Sequence, residues 1–393
     1  MTRLGLYIDA QYREEAGRLF TEFESFPFLR FGCEVGGHFD ELVLFGRSAP
    51  EGVGVDHELP AGPRLAPLPY YENLARIGAV ARATSGVVRA MWRGLERVDV
   101  VWAFGPHPFA LLLALLGLAR RKRVVLGVRQ DTLTYFRTRL RSRGTAPLLA
   151  PLWVLDRLWK LLARLVPATV VGGALERLYG GPRRGVYAMT ISLVRGEDVA
   201  DGPRDAGPGD DVELLTVGRL EPEKNPVLAV EALAALQGEN GRRYRLTWVG
   251  TGRLGDDVRA AAERLGVADR VELPGFVPFG PRLMERYRQA DVFVHVALTE
   301  GAPQVLLEAL SAATPVVATD VGGVAATLED GAAGALVPPR DAPALAAAVA
   351  RTVADDAARR GRVERGLEIA REKSLEAEAE RVARWIGGAR GGA

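Results

Sequence analysis

Two short stretches hold the side chains from which chemistry could be assembled. In Val217-Gly218-Arg219-Leu220-Glu221-Pro222-Glu223-Lys224-Asn225-Pro226, a β-branched run closes at Gly218 and a charged turn leads to Pro226. Proline favours the first turn of a helix. Arg219 and Lys224 therefore sit at a strand's carboxyl end beside a helix N-terminus, a place that suits anions. Lys224 is one of four lysines among 51 basic residues, so a compact ammonium is kept there against a strong arginine bias. The second stretch runs Leu298-Thr299-Glu300-Gly301-Ala302-Pro303-Gln304-Val305-Leu306-Leu307-Glu308-Ala309-Leu310. Glu300 precedes a helix expected to begin near Pro303, and Glu308 lies inside that helix among aliphatic neighbours. Burying a carboxylate there is costly unless something donates to it, and ribose hydroxyls would do so. The free amides around Gly301–Gln304, Pro303 having none of its own, would hold a diphosphate or a sugar.

Weaker signals accompany these. Val249-Gly250-Thr251-Gly252-Arg253 and Pro274-Gly275-Phe276-Val277 are strand ends whose backbone could approach a ligand, although a lone Gly-x-Gly also serves an ordinary tight turn. His295, near a strand end, reads as a hydrogen-bonded core histidine. His107 heads a helix after an earlier strand and is a candidate to line a site. Arg129, Gln130 and Asp131 follow the strand Arg123–Val128, and Tyr12 lies in the segment after the first strand; all four join the candidates.

The elements around these residues alternate. From about residue 211, apparent strands at Glu213–Val217, Tyr244–Val249, Arg270–Leu273, Asp291–Val296, Pro315–Ala318 and Ala335–Val337 are separated by helical stretches near 226–237, 254–266, 282–289, 303–313 and 342–355. Apolar strands interleaved with helices indicate a parallel sheet covered on both faces. Leu4–Ile8, Glu41–Phe45, Asp99–Phe104, Arg123–Val128 and Ala168–Val171 repeat the rhythm more loosely. The expected architecture is α/β, with two doubly wound Rossmann-like domains facing a central cleft. Its parts are a first domain over 1–195, a Gly/Pro/Asp-rich linker over 196–210, a second domain over 211–372, and a last helix with a frayed tail over 373–393.

The 393 residues are 48% hydrophobic and 25% charged, ordinary values for a folded two-domain chain that exclude disorder and collagen. Cys33 is the single cysteine, so no internal disulfide forms, and a reducing, cytoplasmic compartment is expected. The longest charge-free apolar stretch, Pro108 to Ala119, has 12 residues, too few to span a bilayer. The net charge of +2 hides an asymmetry, with 27 basic against 19 acidic residues in 1–200 and 24 against 30 beyond. A basic half facing an acidic half suggests an anionic partner; nucleic acid, anionic lipid and phosphorylated substrates are all open on this ground.

The order Gly-Arg-Leu…Glu-Lys-Asn, Gly-x-Gly, Gly-Phe-Val, Glu-x7-Glu and then Thr-Pro-Val-Val-Ala-Thr-Asp-Val-Gly-Gly at 314–323 resembles the family 4 glycosyltransferases, retaining enzymes of the GT-B fold. The resemblance covers about 211–355. It implies that Arg219 and Lys224 bind a donor diphosphate and neutralise the leaving nucleotide, with Gly218, Gly250 and Gly252 beside them. It implies that Glu308 holds the ribose and Glu300 the sugar hydroxyls, and that Gly275, Phe276 and Val277 meet the base. Gly301 to Gln304 would face the sugar and phosphates. Catalytic roles then fall to Glu300, Arg219 and Lys224, with His107 and Asp131 added from the first domain, and acceptor contacts to Tyr12, Arg129 and Gln130. Fixed cations would replace a divalent metal, so neither metal nor cofactor is expected. The chain departs from the pattern twice. It has no glycine pair in Asp9-Ala10-Gln11-Tyr12-Arg13, and Arg129 stands where a histidine usually follows the mid-domain strand.

Arg120–Arg123, Arg137, Arg139, Arg141 and Arg143 precede Pro147–Val166, where Trp153 and Trp159 lie among leucines with Asp156, Arg157, Lys160 and Arg164 on one side. Such a stretch suits an anionic bilayer surface or a buried helix with a solvated stripe. The expectation is a cytoplasmic protein, peripheral at the membrane, with a nucleotide-sugar donor and a lipid-linked or anionic acceptor. No recognition pattern for nucleic acid is present. A nucleotide-sugar-binding pseudoenzyme and a GT-B-like epimerase or phosphorylase are the alternatives.

Overall fold

Mostly apolar runs make the central strands of the first unit, which comprises Met1–Leu193 and Leu375–Ala393. The computed structural model describes residues 2–50, 52–74, 76–133, 149–204, 209–236 and 241–388. In chain order the strands are β1 (Arg3–Glu15), β2 (Arg18–Thr21), β3 (Glu41–Ser48), β4 (His57–Glu58), β5 (Arg64–Leu68), β6 (Val100–Gly105), β7 (Arg123–Val128), β8 (Ala168–Val171) and β9 (Val186–Met189). Parallel pairing runs β5-β3-β1-β6-β7-β8-β9.

The segment after the first strand differs from expectation. Instead of a loop over Asp9–Arg13, β1 continues to Glu15, with a register shift between Tyr7 and Gln11, and folds back through Ala16 and Gly17 onto antiparallel β2. Both turn residues have positive φ, 49° and 76°, the geometry a two-residue hairpin needs. Tyr12 is wholly buried as a result, its ring filling the space beside Gly46. That corrects its assignment to an acceptor surface.

The second unit, Val194–Ser374, holds β10 (Asp211–Val217), β11 (Arg243–Val249), β12 (Val271–Gly275), β13 (Val292–His295), β14 (Val316–Thr319) and β15 (Ala335–Val337). All pairs are parallel, in the order β12-β11-β10-β13-β14-β15. Every residue of β13 and β14 is buried, which explains why both run apolar up to a polar last residue, His295 and Thr319, rather than alternating. The switch point of such a sheet, where the strand order reverses direction, lies between β10 and β13, and ligands collect at the carboxyl ends of strands there.

Composition misleads in the stretch expected as a linker. Val194 and Val199 are buried in the second unit's core. The Ala200 amide donates to Ser311 O at 2.8 Å, and Arg371 donates to the carbonyls of Ala200 and Asp201 at 2.8 and 3.0 Å. The chain from Val199 to Arg204 is therefore held against the second unit; 205–208 lie outside the described residues, as does the end of the tail from 389. The helix Leu375–Gly387 belongs to the first unit, with Leu375, Ala379, Val382 and Ile386 buried against Phe28, Phe31 and Leu4.

Candidate functional site

Lys224 closes the short helical turn Pro222–Lys224 after β10, and His295 ends the neighbouring strand β13. Adjacent parallel strands bring both side chains to one edge, and the loop after β13 returns Glu300 to meet them. Oε1 of Glu300 lies 3.3 Å from His295 Nε2 and pairs with Lys224 Nζ. Burial alone would raise this carboxyl's pKa. The His295 hydrogen bond and the Lys224 charge outweigh it and hold the pKa at about 2, so Glu300 is ionised at neutral pH. His295 is buried, as expected of a core histidine, and also lies against Glu300.

Glycines support this loop by letting backbones touch. A Cβ on Gly322, whose φ is +55°, would collide with Glu300 O, and the Gly323 amide donates to that same oxygen at 3.1 Å. Gly250 works alike, since a Cβ there would collide with Gly218 O. The Gly250 and Gly252 pair therefore packs against residues 218–220. Leu220 N donates to Thr251 O, and Trp248 Nε1 to Gly218 O at 2.8 Å.

Glu308 sits on the helix Gln304–Ser311 and is buried as expected, but it already has a donor. Tyr287 OH bonds Oε2 at 2.8 Å. Burial lifts the Glu308 pKa to about 7 despite that bond. Arg219 is exposed and pairs with Glu223 at 2.8 Å. Gly275 ends β12 with φ +85°, Phe276 beside it is exposed, and Val277 is half-buried. Gly301, Ala302 and Pro303 lead into the helix through Pro303 as its cap, and Gln304 and Val305 form its first turn.

The first unit contains a polar cluster that the sequence did not reveal. His107 caps the helix Pro108–Ala119 just beyond β6. Its Nδ1 is 3.0 Å from Tyr7 OH and its Nε2 3.4 Å from Asp9 Oδ2. Asp9 Oδ1 accepts from Tyr71 OH at 2.6 Å and is ion-paired with Arg47, whose Nε lies 3.1 Å away. The Arg47 guanidinium donates to Tyr71 O at 2.8 Å and lies over the Tyr71 ring. Burial lowers the His107 pKa, more than the Asp9 charge restores, so the imidazole is neutral. Asp9 is the carboxylate facing His107. Asp131 stands half-buried beyond β7, next to exposed Gln130, and the Arg129 guanidinium lies over the Phe28 ring. Five residues spread over 7–107, with only Tyr7 and Asp9 near each other in sequence, gave no motif to find.

The helix Leu149–Leu162 presents Trp153, Val154, Leu158 and Leu161 to solvent, and exposed Leu165 follows it. Arg157 lies over the Trp153 ring, 5.1 Å from its centroid. Asp156 and Trp159 turn inward instead, Asp156 pairing with Lys160 at 2.9 Å. The arginines at 137, 139, 141 and 143 lie outside the described residues. None of the described helices is long and apolar enough to cross a membrane.

The family model described as Glycosyl transferases group 1 matches residues 203–368. Over 175 residues the chain is 39% identical to a D-inositol 3-phosphate glycosyltransferase of Acidothermus cellulolyticus, covering 42% of this chain and 38% of that one. Over 147 residues it is 33% identical to the amylovoran biosynthesis glycosyltransferase AmsK of Erwinia amylovora, covering 36% and 35%. These matches span less than half the length of the relatives. Among solved structures, the sucrose-phosphate synthase of Thermosynechococcus elongatus superposes with a TM-score of 0.68 at 18% identity, covering 98% of both chains. HepE of Anabaena, in complex with UDP, gives 0.67 at 15% identity, covering 98% of this chain and 100% of that one. The chain therefore has the GT-B fold of two Rossmann-like units, and residues 203–368 carry the match to the group 1 glycosyl transferases.

Proposed function

We propose that this chain is a glycosyltransferase that moves a sugar from a nucleoside-diphosphate sugar to an acceptor hydroxyl, with retention at the anomeric carbon. The observation that carries the reading is the meeting of Lys224 and Glu300 at the switch point of the second unit's sheet, inside the matched region. The HepE neighbour is described with UDP and with UDP-glucose, which supports a sugar nucleotide as donor.

An ammonium has three donors; Glu300 uses one, and the others serve the diphosphate. Arg219 exchanges its exposed pair with Glu223 for the same ligand at little cost. Glu300 Oε2 accepts from sugar hydroxyls, and the Glu308 oxygen not bonded to Tyr287 accepts from the ribose. Phe276 offers a ring for the base to stack on. In the reaction, the bond between the anomeric carbon and the β-phosphate oxygen breaks and its electron pair stays on phosphate, beside Lys224 and Arg219. The acceptor oxygen bonds the same face of that carbon, and its proton passes to the departing phosphate. The products are the glycoside and the nucleoside diphosphate. Fixed cations placed where charge develops lower this barrier.

The acceptor is lipid-linked or anionic and is met at the cytoplasmic face of a membrane. The exposed Trp153, Leu158 and Leu161 stripe with Arg157 and Arg164 supports this, because apolar side chains enter the interface while cations meet anionic headgroups. Release of nucleoside diphosphate from UDP-glucose, GDP-mannose or ADP-glucose, with the sugar recovered on a lipid or carbohydrate acceptor, tests the activity. A chain that binds these donors and never turns them over contradicts it.

A further inference from the structure

Within this donor reading, on which the inference rests, we infer that His295 is a positioning residue for the donor sugar. It fixes Glu300 through Oε1 so that Oε2 is left for a sugar hydroxyl. His295 ends an apolar strand, and its side chain is almost fully buried. Such a position ordinarily takes Val or Ile, as the preceding residues Val292 and Val294 do. The Phe293 ring lies nearly parallel to the imidazole, 21° between planes with centroids 6.4 Å apart. Thr319 Oγ1 bonds Ala297 O at 2.7 Å, pinning the backbone just past the strand. The imidazole is therefore held by a rigid strand, and its buried Nε2, with no well-aligned hydrogen bond of its own, faces Glu300 Oε1 3.3 Å away.

The division of labour at Glu300 follows from geometry. Lys224 and His295 approach the same oxygen from the ends of neighbouring strands. Lys224 is long and mobile, and a diphosphate competes for it. His295 is short and buried, so it keeps the carboxylate in place when Lys224 turns to the ligand. At 3.3 Å the contact is long for N–H···O and has room to tighten when the sugar loads Oε2.

A purely structural histidine would affect every ligand alike; a positioning one acts on the sugar alone. The test uses the full chain and titration calorimetry with UDP, GDP and ADP, each paired with UDP-glucose, GDP-mannose or ADP-glucose. For the pair that binds, His295→Phe keeps a buried ring without the N–H. It is expected to leave nucleoside-diphosphate affinity within about twofold and to weaken sugar-nucleotide affinity about tenfold, the size of a lost hydrogen bond to a charged group. His295→Gln, whose amide reaches the Nε2 position, restores most of the loss. It also serves where the Phe variant does not fold, with His295→Asn as its shorter, non-reaching counterpart. Equal weakening of both ligands, or no change in either, overturns the inference while the donor reading stands. Failure of every nucleotide to bind the wild-type chain overturns the donor reading, and this inference with it.

Discussion

Tyr287 donates its hydroxyl to Oε2 of Glu308 across 2.8 Å, and the pair is buried between two helices of the second unit. The bond is not strong enough to offset burial, which leaves the carboxyl near pKa 7 against an ordinary 4.5. The unfolded chain therefore loses this proton first as pH rises. Stability from this group is intact below about 4.5, falls between there and about 7, and is then lower by about 3 kcal/mol. Glu308→Gln, which keeps an acceptor for Tyr287, is expected to melt several degrees above wild type at pH 8 and close to it at pH 4.5. Identical melting profiles across this range would contradict the assignment.

Glu300 acts in the opposite direction and in a more acid window. Its pKa is held at about 2 in the folded chain, so it stabilises above about 4.5 and the contribution is lost as pH falls toward 2. Glu300→Gln is expected to flatten the acid limb of a urea-stability profile between pH 5 and 3. An unchanged slope in the variant would show that Lys224 and His295 do not hold this carboxylate.

In the first unit, Asp9 is the counter-charge to a buried Arg47. Asp9→Ala strands that guanidinium, a loss expected at about 3 kcal/mol, whereas Tyr71→Phe removes one hydrogen bond and costs about 1 kcal/mol. Urea unfolding followed by circular dichroism measures both. An Asp9→Ala loss under 1 kcal/mol would mean that Arg47 finds water in the cluster.

Gly322 has φ +55°, and a side chain there would run into the backbone of Glu300. Gly322→Ala is expected to shift the 300–301 loop and cost about tenfold or more in sugar-nucleotide affinity. Gly17→Ala, also at positive φ but with open space around it, costs stability only. Equal affinities in the two variants would remove the loop's support from the account.

The exposed stripe on the helix Leu149–Leu162 predicts association with vesicles containing phosphatidylglycerol and much less with phosphatidylcholine alone. Added salt should weaken it, because the cations lie at the surface. Trp153→Ser combined with Leu158→Ser is expected to abolish flotation with vesicles while leaving nucleotide binding intact. Flotation unaffected by these changes would locate the contact elsewhere.

The second unit was far more legible in the sequence than the first, for physical reasons. Its strands are buried on both faces and are separated by helices, so apolar runs such as Val292–Val294 and Val316–Ala318 stand out. Lys224, Glu300 and Glu308 lie close to glycine and proline punctuation that marks strand ends. In the first unit, β5 carries Arg64 and Pro67 and β9 is four residues long, so neither shows a clear pattern. The β1–β2 hairpin turns on Ala16-Gly17, which resembles no strong turn signal. Partners distant in sequence were invisible: Tyr287 for Glu308, and Arg47 and Tyr71 for Asp9. The Gly/Pro/Asp content of 196–210 suggested a free linker, yet Val199 and Ala200 are anchored by the second unit's core and by Ser311. Gly250 and Gly252, expected to approach a ligand, also let their backbone pack on residues 218–220, a contact their spacing did not announce.

The most direct measurement is calorimetric titration of UDP, GDP and ADP into the wild-type chain and into Lys224→Met. The account predicts that one nucleoside diphosphate binds in the micromolar range without added metal, and that the variant loses at least tenfold, since the Lys224 ammonium is the half-buried cation at the switch point. Binding unchanged in Lys224→Met, or no binding of any of the three, would contradict a donor site at this edge of the second unit.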